Sequence, residues 1–220
     1  MSAPAKDNSG SRAAADALDD DELRVLSAHA IEQTYQKNAV IVNEGDQSNT
    51  VFVILSGRVK VFLRNSDGRE MVINVLGPRE YFGELVIDEG ARSASIATLE
   101  TSRFMIVTKA DFKALVLSDP DFALKLINRL MQRVRVLTDN VRSLALLDVY
   151  GRVARLLLEL ATEHEGRLVV SEKLTQQDIA ERVGASREMI SRIFKDLVTG
   201  GYISIEHKHI AINRDLPGKR

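Results

Sequence analysis

The chain contains no cysteine among its 220 residues. Disulfide bonds, thiolate zinc sites, iron–sulfur clusters and redox-sensing thiols are therefore excluded. No apolar run approaches the roughly 18 residues that a membrane-spanning helix needs, and the N-terminus lacks the apolar core of a signal peptide. We therefore expect a cytoplasmic protein that does not contact a membrane.

An excess of charge of one sign is also missing, because the formal net charge is −1. The total therefore gives no overall attraction to nucleic acid, although a neutral protein can still carry a local basic surface. The hydrophobic fraction of 45% is ordinary for a globular protein, and 220 residues suffice for two small domains.

The first part of the chain divides into three segments that differ in composition and in their pattern of apolar residues. Residues 1–18 are rich in Ala, Ser and Asp without apolar periodicity, which predicts a disordered tail. A helix is expected from Asp19 to Ala30, because acidic residues stabilise a helix N-terminus. Short apolar runs punctuated by glycine then predict strands of an all-β sandwich or barrel, with a hairpin turn at 66–68. These runs are 40–42, 51–55, 59–63, 72–76, 95–97 and 104–107.

A long helix is predicted from 121 to about 146, where the chain has no Gly or Pro after the restart at Pro120. Its apolar residues recur at alternating steps of three and four, which is typical of a two-stranded coiled coil. A helix of ~26 residues spans ~39 Å, more than a small β domain covers. We therefore predict a homodimer, with a buried monomeric helix as the alternative. The predicted contact residues are Leu124, Ile127, Met131, Val134, Thr138, Val141 and Ala145.

The last third of the chain carries the pattern of a helix-turn-helix. Asp148 is a candidate N-cap for a helix over 149–163, after a hinge at Leu147–Asp148, and 168–170 suggests a strand. Thr175 is the candidate cap of the next helix and Ser186 that of the one after it. Gly184 separates the two helices, and the second ends at Gly200–Gly201. Alternating residues after that point predict a β-hairpin, and the whole is a winged helix-turn-helix.

The second of these helices presents polar and basic side chains on its exposed face. Arginine pairs with guanine and glutamate accepts from cytosine, whereas lysine and hydroxyls suit phosphates. We predict that this face binds double-stranded DNA, together with the start of the preceding helix; a merely solvated face is the alternative. The predicted DNA-binding residues are Thr175, Gln176, Ser186, Arg187, Glu188, Ser191, Arg192 and Lys195.

The run Ser186-Arg187-Glu188, followed by Ser191-Arg192, resembles the recognition helix of the cyclic-AMP receptor protein / fumarate-nitrate regulator (CRP/FNR) family of bacterial transcription factors. Residues 146–152 resemble that family's hinge, and the resemblance extends from about 20 to 213. It implies an α+β protein: an N-terminal β-roll, which is a cyclic-nucleotide-binding jelly roll, over 19–117, a dimerisation helix over 118–147 and a winged helix-turn-helix over 148–220. It also implies a palindromic target with TGTGA-like half-sites and RNA polymerase as a partner.

Two short segments resemble the family's phosphate-binding cassette for cyclic nucleotides. They are Gly83-Glu84-Leu85 and Arg92-Ser93-Ala94. Glycine lets backbone N–H groups approach a ligand closely, a glutamate accepts from a ribose hydroxyl, and arginine binds phosphate. The resemblance places Thr138 against an adenine amino group, so cyclic AMP is the first candidate effector.

Three departures from the family pattern leave other effectors open. The segment between Glu84 and Arg92 is shorter than in the best-known cyclic-AMP receptor. Asp139 stands where that receptor's second subunit offers a serine, and Val134 stands where an arginine helps to hold the pocket. We assign Asp139 to the effector site because its carboxylate can accept from an amino group. Cyclic di-GMP and constitutive activity remain alternatives.

Other cofactors and activities have little support in the sequence. The histidines lie outside the predicted β region, which argues against a haem, and His207 and His209 flank Lys208 in a predicted wing turn rather than forming a metal pair. Paired carboxylates, a metal cluster and a nucleophile–base motif are missing, so a cyclic-nucleotide-processing enzyme is a remote alternative.

Overall fold

The computed structural model describes residues 17–28, 30–47, 49–88, 90–206 and 209–217, with only the backbone at Asp88. The predicted tail therefore lies outside the described residues except for Ala17 and Leu18. Leu18 is 2% exposed and packs in a hydrophobic core, so the tail prediction is wrong at this end. Two compact units hold the described residues: one contains residues up to 68 together with 72–137, the other 69–71 together with 138 onward.

The strands of the first unit form two antiparallel four-stranded sheets, with strand orders β1-β8-β3-β6 and β2-β7-β4-β5. The runs predicted from apolar residues all lie in strands, and the turn at 66–68 is confirmed by a Gly68 N–H bond to the Asn65 carbonyl. Two strands escaped prediction, β1 and β6. The strands are β1 Ile31–Tyr35, β2 Val40–Val42, β3 Thr50–Ser56, β4 Val59–Arg64, β5 Glu70–Leu76, β6 Tyr81–Phe82, β7 Ser95–Thr98 and β8 Ser102–Thr108.

Strand β3 shows how the two sides of the first sheet are used. Phe52 and Ile54 belong to the core between the sheets, where the Phe52 ring stacks on Phe82 at 4.9 Å between centroids. Val51 and Val53 point to the other side and pack in a second core with the helices. Because side chains alternate along a strand, one strand supplies both cores.

Three helices belong wholly or partly to this unit: α1 Asp20–Ser27, α2 Lys109–Ser118 and α3 Pro120–Leu146. Helix α1 is shorter than predicted, and it begins with a capping box between Asp19 and Glu22. The restart at Pro120 is confirmed, since the Asp119 carboxylate accepts from the Phe122 N–H at 3.0 Å. Side-chain capping satisfies N–H groups that lack a partner at the start of a helix.

Helix α3 has one buried and one exposed stripe. The buried stripe packs Phe122 and Leu126 into the helix-side core of the β domain. The exposed stripe is apolar, with side chains between 41% and 64% exposed: Leu124, Ile127, Met131, Val134, Leu137, Val141 and Leu144. The apolar residues of the predicted dimer contact, Ala145 included, are thus exposed on this chain, and the dimer itself stays a prediction.

The second unit is a winged helix-turn-helix. Its sheet has the order β11-β12-β10-β9. Its core is formed by Val153, Leu157, Ile190, Leu197 and their neighbours. The elements are α4 Val149–Leu160, β9 Ala161–His164, β10 Arg167–Val170, α5 Gln176–Val183, α6 Arg187–Thr199, β11 Ile203–Glu206 and β12 His209–Ile212.

The prediction of one helix over 149–163 is wrong at its end. Helix α4 begins after the Asp148 cap as expected but stops at Leu160. Residues 161–164 pair with β10, and the hairpin turns at Glu165 and Gly166, which both have positive φ. Pairing across a tight turn outweighs local helix propensity here. Within the described part of the chain, no helix is long and apolar enough to cross a lipid bilayer.

Candidate effector cassette and DNA-binding surface

Gly83 leaves room for the Arg92 side chain in the cassette. Its φ is +90°, a conformation that other residues rarely adopt. A Cβ at this position would overlap the Arg92 guanidinium and lie 2.8 Å from the Thr50 carbonyl oxygen. Only glycine therefore fits between the strand β3 backbone and Arg92.

Arg92 is held by its backbone and by its side chain. Its N–H donates to the Asp46 carbonyl at 2.9 Å, and its Nη2 donates to the Thr50 carbonyl at 2.8 Å. Burial lowers the pKa of this guanidinium, while the carboxylates of Glu84 and Asp46 act in the opposite direction. A half-buried, positioned arginine of this kind suits a phosphate group.

Glu84 opens the 3₁₀ helix that follows Gly83 and is 8% exposed. Its Oε1 accepts from Arg133 Nη1 at 2.7 Å, and Arg133 Nη2 also donates to the Tyr81 carbonyl at 2.6 Å. The Arg133 guanidinium lies 4.9 Å from the centre of the Tyr81 ring. One arginine of α3 therefore contacts the chain on both sides of Gly83.

Arg133 was not among the predicted effector residues, and Val134 was interpreted as the loss of a pocket arginine. The structure corrects this, because Arg133 makes the contact with Glu84 and Val134 is 61% exposed on the other stripe of α3. An error of one residue rotates a side chain by about 100° around a helix. The sequence did contain a signal for this contact, because Arg133 directly precedes Val134, the position that had been assigned.

The remaining predicted effector residues lie in different places. Leu85 is 44% exposed, and Ser93 is exposed beside Arg92. Thr138 and Asp139 belong to the second compact unit. Asp139 pairs with Arg142 at 3.5 Å, and its carbonyl accepts from Arg155 Nη1 at 2.9 Å. Their assignment to an effector remains a prediction.

The helix-turn-helix follows the predicted capping chemistry. The Asp178 N–H donates to Thr175 Oγ1 at 3.1 Å, and the Thr175 N–H donates to the Asp178 carboxylate at 2.7 Å. Gly184 ends α5 with φ +66°, and the Met189 N–H donates to Ser186 Oγ at 3.2 Å at the start of α6. The hydroxyls of Thr175 and Ser186 thus cap the N-termini of α5 and α6, and Gln176 is the first residue of α5.

Helix α6 has one buried face and one exposed face. The exposed face carries the five other residues predicted for DNA: Arg187, Glu188, Ser191, Arg192 and Lys195. At 100° per residue they span an arc of about 140°. The opposite face packs Ile190, Ile193, Phe194 and Leu197 into the core. These five residues therefore share one solvent-facing surface.

The charge of Glu188 is favoured by its surroundings. Its own backbone N–H, then the Ser186 hydroxyl and the positive charge of Arg187, lower the pKa of this carboxyl group. An ionised carboxylate is an acceptor only, which is the property needed opposite a cytosine amino group.

Two arginines whose contacts were not predicted from the sequence support this surface. Arg152 donates to the Leu147 carbonyl at 2.9 Å and to the Val183 carbonyl at 2.8 Å, which joins the end of α3 to the end of α5. Arg214 donates to the carbonyls of Gly200 and Gly201 after α6. Cations at helix C-termini are favourable, so both also suit the helix dipoles.

Potential metal ligands do not cluster in the part of the chain that the structure describes: no group of three or more His, Asp or Glu side chains is suited to a metal ion. His207 and Lys208 lie outside the described residues, and His209 begins β12.

Comparison with known proteins agrees with both halves of this architecture. Residues 32–119 match the cyclic nucleotide-binding domain, and residues 151–215 match the Crp-like helix-turn-helix domain. A CRP-like cAMP-activated global transcriptional regulator of Mycobacterium tuberculosis is 34% identical over 184 residues, which cover 81% of this chain and 82% of the relative. The chain belongs to the CRP/FNR family. It is accordingly a transcription regulator with a cyclic nucleotide-binding domain and a helix-turn-helix, and the predicted family and fold class are confirmed.

Relatives within the CRP/FNR family differ in their named effectors. The cAMP-activated global transcriptional regulator Vfr of Pseudomonas aeruginosa is 34% identical over 200 residues, covering 86% of this chain and 92% of Vfr. The solved structure of CLP from Xanthomonas campestris, described as c-di-GMP responsive, has a TM-score of 0.78 at 25% identity. That match covers 88% of this chain and 99% of CLP.

Proposed function

We propose that this chain is an effector-gated regulator that binds a cyclic nucleotide, with cyclic AMP as the first candidate, and binds a palindromic TGTGA-like site as a homodimer. The observation that carries the proposal is the half-buried Arg92 next to Gly83 and the buried Glu84. Arg92 would bind an anionic phosphate, and the Glu84 carboxylate would accept a hydrogen bond from a ribose hydroxyl.

The physical case rests on partial desolvation of Arg92. Arg92 is half-buried, so its guanidinium has lost part of its hydration, and this burial lowers its pKa. A cyclic phosphate would supply a negative charge where the dielectric screening is reduced. An uncharged sugar would not provide this compensation, which favours a nucleotide over a nucleoside.

The gate would act through Arg133. Glu84 accepts from Arg133, so a ribose hydroxyl that binds Glu84 must share its carboxylate with a side chain of α3. A ligand shifts a conformational equilibrium only if it binds one state more tightly. In this account the bound state favours the arrangement of α3 that is competent for DNA.

The dimer is supported by the exposed apolar stripe of α3, which runs from Leu124 to Leu144. A 27-residue helix is about 40 Å long, enough for an extended helix–helix contact. Two copies of α6 in such a dimer would address half-sites roughly 34–36 Å apart. We also propose RNA polymerase as a partner, on the family resemblance alone, with the short loop within 162–167 of the β9–β10 hairpin as its contact.

A second effector, cyclic di-GMP, is favoured by one observation, the similarity to CLP of Xanthomonas campestris at a TM-score of 0.78. The same cassette chemistry serves either nucleotide, because both carry ribose and an anionic phosphodiester. We place cyclic AMP first because the matches to the two cAMP-activated relatives cover more than four fifths of this chain.

Calorimetric titration of the full chain with cyclic AMP tests the proposal. We expect binding to wild type and a loss of about thirtyfold or more in Arg92→Ala, because a charge-assisted phosphate contact is removed. Arg103→Ala is the matched control, since Arg103 pairs with Glu32 on an exposed part of β8. Equal affinities of wild type and Arg92→Ala would contradict the proposal, as would a wild type that binds no cyclic nucleotide.

A further inference from the structure

Two arginines of α3 approach the same buried tyrosine. Arg129 and Arg133 are four residues apart, so they lie about 40° apart around the helix and about one turn apart along it. The Arg129 guanidinium lies 5.9 Å from the centre of the Tyr81 ring, and that of Arg133 lies 4.9 Å from it. Tyr81 is 2% exposed and comes two residues before Gly83. The tyrosine that leads into the cassette is therefore within cation–π distance of both arginines.

Each of these arginines has a carboxylate of its own. Arg133 donates to Glu84 of the cassette and to the Tyr81 carbonyl. Arg129 donates with both terminal nitrogens to Glu22 of α1. Like charges one turn apart on a helix repel each other, so each carboxylate also lets the two arginines lie side by side. A continuous chain of contacts thus runs from α1 through Arg129, Tyr81 and Arg133 to the cassette.

The segment before α1 is attached to the loop that precedes Tyr81. The Leu18 N–H donates to the Arg79 carbonyl at 2.8 Å, and Arg79 Nε donates to the Leu18 carbonyl at 2.8 Å. The Ala17 carbonyl accepts from Arg129 Nη2 at 3.1 Å. Arg79 has a φ of +71°, a conformation that residues other than glycine rarely adopt unless surrounding contacts hold it. Residues 17–22 therefore fix both Arg129 and the loop that leads into Tyr81.

We propose that Glu22 and Arg129 are positioning residues of the nucleotide site: they hold Tyr81 so that its carbonyl and Glu84 both meet Arg133. This inference rests on the proposed cyclic nucleotide function. An arginine that binds a carboxylate with two parallel hydrogen bonds has a fixed geometry, so it can orient the ring beside it. The N-terminal segment is then part of the sensor, although it contributes no residue to the cassette. The alternative is a pair that only attaches α1 to the domain.

Calorimetry of the full chain with cyclic AMP tests the inference in a variant that combines Glu22→Met and Arg129→Met. Replacing a buried ion pair by apolar residues of similar volume is often neutral for stability, and here it leaves the net charge unchanged. We therefore expect a urea unfolding midpoint close to that of wild type but an affinity about fivefold lower.

Lys125→Ala is the matched control. Lys125 also joins α3 to α1, through Asp19 at 2.5 Å, but both side chains are about half exposed. This change should leave the affinity for cyclic AMP as it is in wild type. An equal loss of affinity in Lys125→Ala would show that attachment of α1 is all that matters, and would contradict the positioning role.

A double-mutant cycle with Arg133→Ala shows whether the pair acts through Arg133. The effects of independent sites add, whereas those of sites that act through one another do not. The Glu22→Met and Arg129→Met change should therefore weaken binding about fivefold in wild type but less than about twofold in the Arg133→Ala background. An equal factor in both backgrounds would overturn the inference, because the pair would then act independently of Arg133.

The remaining outcomes are also decisive. Wild-type affinity in the combined variant, at a wild-type urea midpoint, would reject the inference. If the combined change lowers the midpoint strongly, Arg129→Lys takes its place in the same cycle, because lysine keeps the charge opposite Glu22 but not the two parallel hydrogen bonds. Failure of the wild type to bind cyclic AMP would instead reject the proposed function itself, and the inference with it.

Discussion

Arg133 Nη1 donates to Glu84 Oε1 at 2.7 Å, with the two side chains 16% and 8% exposed. The same guanidinium donates to the Tyr81 carbonyl, so one residue of α3 fixes both the strand that leads into the cassette and its carboxylate. Charge-assisted hydrogen bonds in partly buried surroundings are among the stronger contacts in a protein. A ligand that binds the Glu84 carboxylate would therefore have to share it with a side chain of α3.

Replacing Arg133 by alanine should weaken both the cassette and its connection to α3. We expect the affinity for cyclic AMP to fall by about tenfold, because Glu84 loses its charged partner. The response of DNA binding to the nucleotide should fall as well. Calorimetry and DNA titration measure the two effects, with Arg135→Ala on the exposed side of α3 as the control. An Arg133→Ala protein that responds to the nucleotide as wild type does would refute the coupling.

Gly83 and Gly68 form a matched pair for testing the space in the cassette. Both have positive φ, but a Cβ at Gly68 would meet nothing within 4 Å, whereas one at Gly83 would overlap Arg92. Gly68→Ala should therefore cost only backbone strain, about 1 kcal/mol in the free energy of unfolding. Gly83→Ala should cost more and should also abolish nucleotide binding. Urea unfolding and calorimetry measure both, and equal effects of the two changes would contradict this account.

The ion pair between Glu22 and Arg129 ties α1 to α3. Both Arg129 terminal nitrogens donate to the Glu22 carboxylate, at 2.8 and 2.7 Å, and the side chains are 5% and 7% exposed. Glu22→Ala leaves a buried charge unpaired and should lower the free energy of unfolding by about 3–5 kcal/mol. Asp21→Ala, which breaks an exposed pair with Arg24, should cost less than about 1 kcal/mol. Comparable losses in urea unfolding would show that burial does not govern these pairs.

The exposed face of α6 predicts two different effects on DNA binding. Arg187→Ala should cost about 1–3 kcal/mol on a matched half-site and relax selectivity at one base pair. Lys195→Ala should weaken binding to all sequences alike and reduce the slope of log affinity against log salt by about 1. Fluorescence anisotropy with matched and altered half-sites at several salt concentrations separates the two. If both variants lost selectivity equally, the division into base and phosphate contacts would be wrong.

Much of the fold follows from periodicity and capping residues. Apolar runs located most strands, and Thr175, Gly184 and Ser186 located the helix-turn-helix because their side chains and backbone act locally. Strand β1 escaped because it lies at the edge of its sheet and is mostly exposed, so its sequence has no apolar alternation. Strand β9 escaped because its pairing with β10 is a tertiary contact that outweighs a helical pattern.

The candidate site was less accessible to sequence analysis for a geometric reason. Gly83, Glu84 and Arg92 were predicted because two short segments of the sequence resemble the family's phosphate-binding cassette. Which residue of α3 contributes to the site depends on how the helix is rotated about its axis. Only the hydrogen bond between Arg133 and Glu84 showed that rotation. Arg214 binds backbone carbonyls and belongs to no sequence motif, and Arg152 lies in the hinge segment but its backbone contacts became visible only in the structure.

Gating of DNA binding by the nucleotide is tested most directly by one titration. The full-length chain is titrated against a fluorescent palindromic TGTGA-like duplex by anisotropy, without nucleotide and with saturating cyclic AMP. We predict at least about tenfold tighter binding with the nucleotide, a usual size for allosteric coupling. Equal DNA affinities in the two conditions, while calorimetry shows cyclic AMP bound, would contradict the account.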